Sequence, residues 1–165
     1  MTSGGCDDGV VTSRAPIARR TVRAVLIDEQ DRLVLVKRTK PDRPVYWTTA
    51  GGGVEPEDAD RRATAAREIL EEVGATAVIG EQVFLTSDPT AEGLRIAHFH
   101  LARLLTLDPG ARTGAEHGDP ARGGFETDVI ALTAVAEINL RPPELRDFLV
   151  ANTPALLAEV DLLRP

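Results

Sequence analysis

Glu68, Glu71 and Glu72 stand within one short stretch, and Arg67 immediately precedes the first of them. At about 100° per helical residue the three glutamates fall on one side, Glu68 and Glu72 a turn apart with Glu71 beside both. Carboxylates this close repel unless protons or a cation intervene. Hard divalent cations such as Mg2+ take oxygen ligands, so such a helix can form one wall of a metal site. Arg67 offsets part of the repulsion, most directly through its i, i+4 relation to Glu71. Taken alone, the helix reads better as a solvated acidic face with i, i+4 pairing. The glycines upstream change that balance. Gly51-Gly52-Gly53 follow the strand-like run YWTT (46–49), and glycines let backbone groups approach a ligand or ion closely. A plain strand-to-helix turn needs only one. The pairing of this loop with R-E-x-x-E-E-x-G is far more specific than either half.

The elements that position these residues are legible as patterns. The stretch DRRATAAREILEEVG (60–74) carries the clearest helical period in the chain. Ala66, Ile69, Leu70 and Val73 fall at i, i+3, i+4 and i+7, the stripe expected to face the core, and Gly74 is a natural stop. TVRAVLI and RLVLVKR, separated by the polar break Asp28–Asp31, read as a hairpin. Residues 77–87 and 94–107 read as long strands, and FETDVIALT as a further one. TAVAEI reads as a short helix, PPELRDFLVAN as a helix opened by proline, and Thr153–Pro154 as the start of a last one. Residues 108–124 form a break rich in Gly, Pro and Ala; they read as an inert surface loop, with a lid over substrate as the alternative. Residues 1–16 read as a flexible lead, and 17–165 as one domain of mixed strands and helices.

Composition bounds the function. The chain has 165 residues, 42% of them apolar, enough for one well-formed core. Its net charge of −7 argues against coating nucleic acid polymers or anionic lipid through a basic surface. Seven acids against three bases fall in residues 55–72, so a net of −4 is concentrated around the glutamates. A small anionic partner remains compatible, because a bound cation supplies positive charge locally. The single cysteine, Cys6, excludes an intramolecular disulfide framework. Asp7, Asp8, Arg14, Arg19 and Arg20 interrupt any apolar signal core, and no run approaches a membrane span, so a cytoplasmic setting is the expectation.

On these residues the sequence resembles the Nudix hydrolases, whose signature is G-x5-E-x7-R-E-U-x-E-E-x-G-U with U a bulky aliphatic. Arg67 to Gly74 match the R-E-U-x-E-E-x-G half completely, and Gly51 to Glu55 look like the glycine loop. Three positions depart from the pattern. Gly52-x5 lands on Asp58, with eight residues rather than seven before Arg67; Ala75 replaces the closing aliphatic; and Ala50 stands where proline often precedes the glycines. An extra loop residue, with Asp58 (or Glu57) as the upstream carboxylate, keeps the helix faces intact.

The resemblance implies an α/β fold, the Nudix α/β/α sandwich with a mixed β-sheet, over about 17–150. It implies Mg2+-dependent (or Mn2+-dependent) hydrolysis of a nucleoside diphosphate linked to a second group, with water attacking phosphorus. Carried over by residue, Glu68, Glu71, Glu72 and the Gly51 carbonyl hold the metal, and Arg67 orients Glu68. The base is Glu68 or a carboxylate after the long strand, where Asp128 and Glu126 rank ahead of Glu116. Gly51, Gly52, Gly53, Lys37 and Arg38 are candidates to touch substrate, and a homodimer would be common for the family. Tyr46 or Trp47 could stack on a base, though core packing is as good a reading; His98 and His100 share a strand face but suit ordinary packing better than a Mg2+ site. Pro89 lies near the spacing associated with ADP-ribose hydrolases, and the absence of a downstream tyrosine lowers dinucleoside polyphosphates. Two rivals follow: a non-catalytic nucleotide-binding module, which would be expected to lose the box glutamates, and an isoprenoid-diphosphate isomerase, whose active-site cysteine could only be Cys6.

Overall fold

The computed structural model describes residues 14–114 and 120–165. Cys6, Glu116 and most of the expected flexible lead lie outside them. The hairpin forms as β1 (Ile17–Ile27) and β2 (Arg32–Lys40). Its turn is fixed by Asp28, whose carboxylate accepts the backbone N–H of Gln30 and of Arg32, each at 2.9 Å. The two strands share only the register position Ile27↔Leu33 and then diverge.

What fills the divergence positions the site. The short strand β3 (Arg43–Thr48) runs antiparallel to β2, and β4 (Gly51–Gly53) pairs with β1 at Thr21 to Arg23. The two long strands are β5 (Ala75–Thr90) and β6 (Gly93–Leu107), which pair antiparallel, while β6 runs parallel to β1 from Leu94 to Arg103. β7 (Gly124–Ala131) pairs with β2, and β8 (Leu140–Arg141) runs parallel to β3. The result is a mixed 8-stranded sheet ordered β5-β6-β1-β2-β3-β8, with β4 attached to β1 and β7 to β2.

Helices α1 (Arg61–Val73) and α2 (Pro143–Asp161) pack against the two sides. Alternation along β1 and β2 divides the core: Ala24, Leu26, Val34 and Val36 meet Ile69 and Val73 of α1. Val25, Ile27, Leu33 and Leu35 meet Leu145, Leu149, Leu156 and Val160 of α2. This is the expected α/β/α sandwich. Among the described residues no helix is long and apolar enough to cross a membrane.

Three sequence expectations are corrected. The buried face of α1 is Thr64, Ala65, Glu68, Ile69 and Val73, whereas Ala66 and Leu70 are exposed. The helix is turned by about one residue from the apolar stripe, because Glu68 is drawn under the glycine loop. The two expected C-terminal helices are one, with Pro154 inside it. Leu145, Leu149, Leu156 and Val160 form a continuous buried stripe across the proline, and Asn152 and Thr153 donate from their side chains to the carbonyls of Phe148 and Leu149, each at 2.8 Å. TAVAEI lies in a 3-10 helix, Leu132–Glu137, instead of an α-helix.

Candidate active site

The helix begins cleanly. Asp60 is the N-cap, its carboxylate accepting the Ala63 N–H at 2.9 Å. Gly74 ends α1 at φ 69°, and a Cβ there would collide with the Asp108 carbonyl. Between these ends, Arg67 is the hub of the site. Its Nη1 donates to Glu68 Oε1 at 3.0 Å and to Glu71 Oε2 at 3.2 Å. Its Nη2 donates to the Gly53 carbonyl at 2.9 Å, and Nε and Nη2 grip both oxygens of Asp58 at 3.1 and 3.0 Å.

Asp58 is held on every side. Its Oδ2 also accepts from Thr64 Oγ1 and from the Glu55 N–H, both at 2.9 Å. The hydrogen bonds from Arg67 hold its carboxyl far below the usual carboxylate range, and Asp58 in return pushes the Arg67 guanidinium up. The structure therefore puts Asp58 in the contact that ties the loop to the helix through Arg67.

The glycines shape the floor. Gly52 has no side chain because the Glu68 carboxylate fills that space; a Cβ would collide with all three carboxylate atoms. The Gly51 N–H donates to Glu72 Oε2 at 2.9 Å, fixing the second glutamate from the backbone. Glu68 is pushed up, chiefly by burial, with Arg67 opposing. Arg23, on β1 beside β4, donates to the Thr49 carbonyl at 2.8 Å; burial lowers it, while Glu72 and Glu68 counteract.

The chemistry of this donor set fits a hard divalent cation: several carboxylates and backbone carbonyls, no sulfur, and a space under Gly52 cut to one carboxylate. The carboxylates are turned toward Arg67 and the Gly51 N–H, and as they stand no three His, Cys, Asp or Glu side chains among the described residues are grouped to hold a metal ion.

A cavity of about 790 Å³ opens where β1 and β2 have diverged. Gly51, Gly52, Gly53, Arg67, Glu68, Glu71, Glu72 and Arg38 line it together. Lys37, Glu126 and Asp128 do not. Lys37 alternates to the face of β2 that carries Leu33 and Leu35, and Glu126 and Asp128 to the face of β7 that carries Ile130. There Lys37 pairs with Glu126 at 3.9 Å, and Asp128 accepts the Trp47 indole N–H at 2.8 Å. His98 Nδ1 lies 2.7 Å from Gln82 Oε1 and 2.8 Å from Arg61 Nη1, and His100 Nδ1 donates to the Gly80 carbonyl at 3.0 Å.

Sequence reasoning missed the cationic side of the cavity: Arg19, Arg23, Arg95 and Arg141. One signal was available in β1, where Arg19, Thr21 and Arg23 alternate with residues on the other strand face. The others are brought in by strand order alone.

A sequence model of the NUDIX domain matches residues 18–148. A relative, the CTP pyrophosphohydrolase of Escherichia coli (strain K12), is 35% identical over 80 residues, 48% of this chain and 57% of that protein. The match thus spans little more than half the length of that relative. Among solved structures, a NUDIX hydrolase from Nitrosomonas europaea superposes with a TM-score of 0.63 at 17% identity, covering 83% of this chain and 88% of the other. The NUDIX domain of Shewanella oneidensis NrtR complexed with ADP ribose gives 0.61 at 18% identity, over 92% and 94%. These likenesses show the fold.

Proposed function

The chain belongs to the Nudix family, and on that premise we propose that it hydrolyses the diphosphate linkage of a nucleoside triphosphate, with CTP the first substrate to test. The observation that carries this reading is one cavity with two kinds of wall. One wall holds Glu68, Glu71 and Glu72 over the glycine loop. The other kind is cationic: Arg19 and Arg95 line the same cavity, and neither forms an ion pair among the described residues. Such guanidinium groups suit the phosphate oxygens of a nucleotide. The name of the E. coli relative favours a cytidine triphosphate in particular.

Glu68, Glu71, Glu72 and the Gly51 carbonyl are the groups that would hold Mg2+, or Mn2+ in its place. Such an ion, when bound, screens the substrate phosphates and makes bound water more acidic. The rest falls to the chain. Arg67 fixes the Glu68 carboxylate, Gly52 leaves room for it, and Asp58 holds Arg67 in turn. Arg19 and Arg95 grip and orient the phosphates, which lowers the entropic part of the barrier. Glu68 is the base favoured by position, since it lies in the cavity. Asp128 and Glu126 lie outside that cavity.

The test is a phosphate-release screen over nucleoside triphosphates, ADP-ribose and nucleotide sugars, with and without Mg2+. Turnover should require the cation and be fastest with a triphosphate. Glu68→Gln and Glu72→Gln should each lose about 100-fold or more in kcat. Near wild-type turnover in both variants would remove the carboxylates from the reaction.

A further inference from the structure

Strand register sets three side chains in one row across the cavity wall. Phe125 of β7 stands opposite Arg38 of β2, and Arg38 stands opposite Tyr46 of β3. All three are half-buried and all line the cavity. The Arg38 guanidinium carbon lies 4.3 Å from the centroid of the Phe125 ring, so a planar cation rests on an aromatic side chain. Arg38 Nη2 reaches the Arg122 carbonyl at 3.4 Å, and its Nε is buried without a partner. The neighbouring row runs Val36, Thr48, Arg141, of which Thr48 and Arg141 also line the cavity.

Trp47 sits between these rows in sequence but alternates to the other face of β3, where Asp128 engages its indole. Of the two aromatics near the glycine loop, Tyr46 alone is left for a ligand in the cavity. The row therefore combines a phenol ring and a stacked guanidinium, with no carboxylate among them. Such a surface suits a flat, uncharged heteroaromatic ring, and it lies in the cavity that holds the phosphate-binding arginines.

We propose that Tyr46, together with Arg38 laid on Phe125, is the platform on which the nucleobase of the substrate stacks, with Thr48 and Arg141 at its edge. The assignment rests on the hydrolase reading only in taking a nucleotide as the ligand. Tyr46 and Arg38 are then specificity residues that contact substrate, and Phe125 is a positioning residue that acts through Arg38.

Equilibrium binding of CTP and of inorganic tripolyphosphate, measured by calorimetry without added divalent cation so that no turnover intrudes, separates base from phosphate. Tyr46→Ala should weaken CTP about 5- to 50-fold, the range of an aromatic stacking contact. Tyr46→Phe should stay within about two-fold of wild type, and Phe125→Leu should fall between the two. Tripolyphosphate affinity should be unchanged in all three variants, which also reports that they are folded. Unchanged CTP affinity in Tyr46→Ala and Phe125→Leu would overturn the platform. So would an equal loss for tripolyphosphate, which would place these residues on phosphate. If the variants show these shifts yet the wild-type protein does not hydrolyse CTP with Mg2+, the hydrolase reading fails and the platform stands. If it hydrolyses CTP and Tyr46→Ala binds as wild type, the platform fails and the hydrolase reading stands.

Discussion

Helices α1 and α2 cover opposite sides of one sheet, yet they bury different chemistry. The α2 stripe is wholly apolar: Leu145, Leu149, Leu156 and Val160 are 0 to 3% exposed. On α1, Glu68 is only 9% exposed beside Ile69 and Val73 at 0%. A charged side chain is kept that deep only if it is paired, and Arg67 together with the space under Gly52 supplies the pairing. One helix thus contributes stability and the other holds a buried carboxylate at a cost in stability. The largest effect that sharpens this contrast comes from α2. Leu149→Ala should cost about 2–5 kcal/mol of folding free energy, read from urea unfolding, while kcat/KM of the folded protein stays unchanged.

The converse change touches α1 only through the loop above it. In Gly52→Ala the new methyl group occupies the place of the Glu68 carboxylate, which must swing away. A displacement of this kind should lower kcat/KM about 100-fold, with a smaller change in the urea midpoint than Leu149→Ala. Equal activity in Gly52→Ala and wild type would mean that Glu68 need not lie under the loop. Next in size is Arg67→Lys, which keeps the charge but cannot span Asp58, the Gly53 carbonyl, Glu68 and Glu71 together. It should lose about 10- to 100-fold in kcat, as expected for a group that orients ligands instead of touching substrate.

The same contrast explains what could be read from the sequence. The R-E-x-x-E-E-x-G run is local, so its spacing alone places Glu68, Glu71 and Glu72 on one helix. The buried face of α1 was less legible, because Ala66 and Leu70 complete an apolar stripe as well as Thr64 and Ala65 do. The choice was made by a tertiary contact, the seat of Glu68 beneath Gly52, which no periodicity records. In α2 the dipeptide Thr153–Pro154 carries the local signal of a helix start. The leucine stripe on both sides of it, packed against β1 and β2, overrides that signal. The cationic wall was the least legible part. Arg19, Arg23, Arg95 and Arg141 are scattered over the chain; parallel pairing of β1 with β6 sets Arg19 against Arg95, and β8 beside β3 brings in Arg141.

The smallest expected effect concerns how the loop is fastened to α1. Asp58 stands one residue out of the usual spacing, yet it takes both Nε and Nη2 of Arg67. Its folded pKa is depressed below the ordinary value near 3.8, chiefly by Arg67. A depressed carboxylate contributes stability that is fully present above the unfolded value and is lost as pH falls through the folded one. The wild-type protein should therefore lose stability as the medium is acidified below about pH 4 through this group. Asp58→Asn removes that proton uptake, so its urea midpoint should fall less between pH 6 and pH 3. Leu149→Ala alters no titratable group, so it should keep the wild-type acid dependence while lowering the whole curve. If Asp58→Asn instead ran parallel to wild type down to pH 3, the Asp58–Arg67 contact would not be what fastens the loop to the helix.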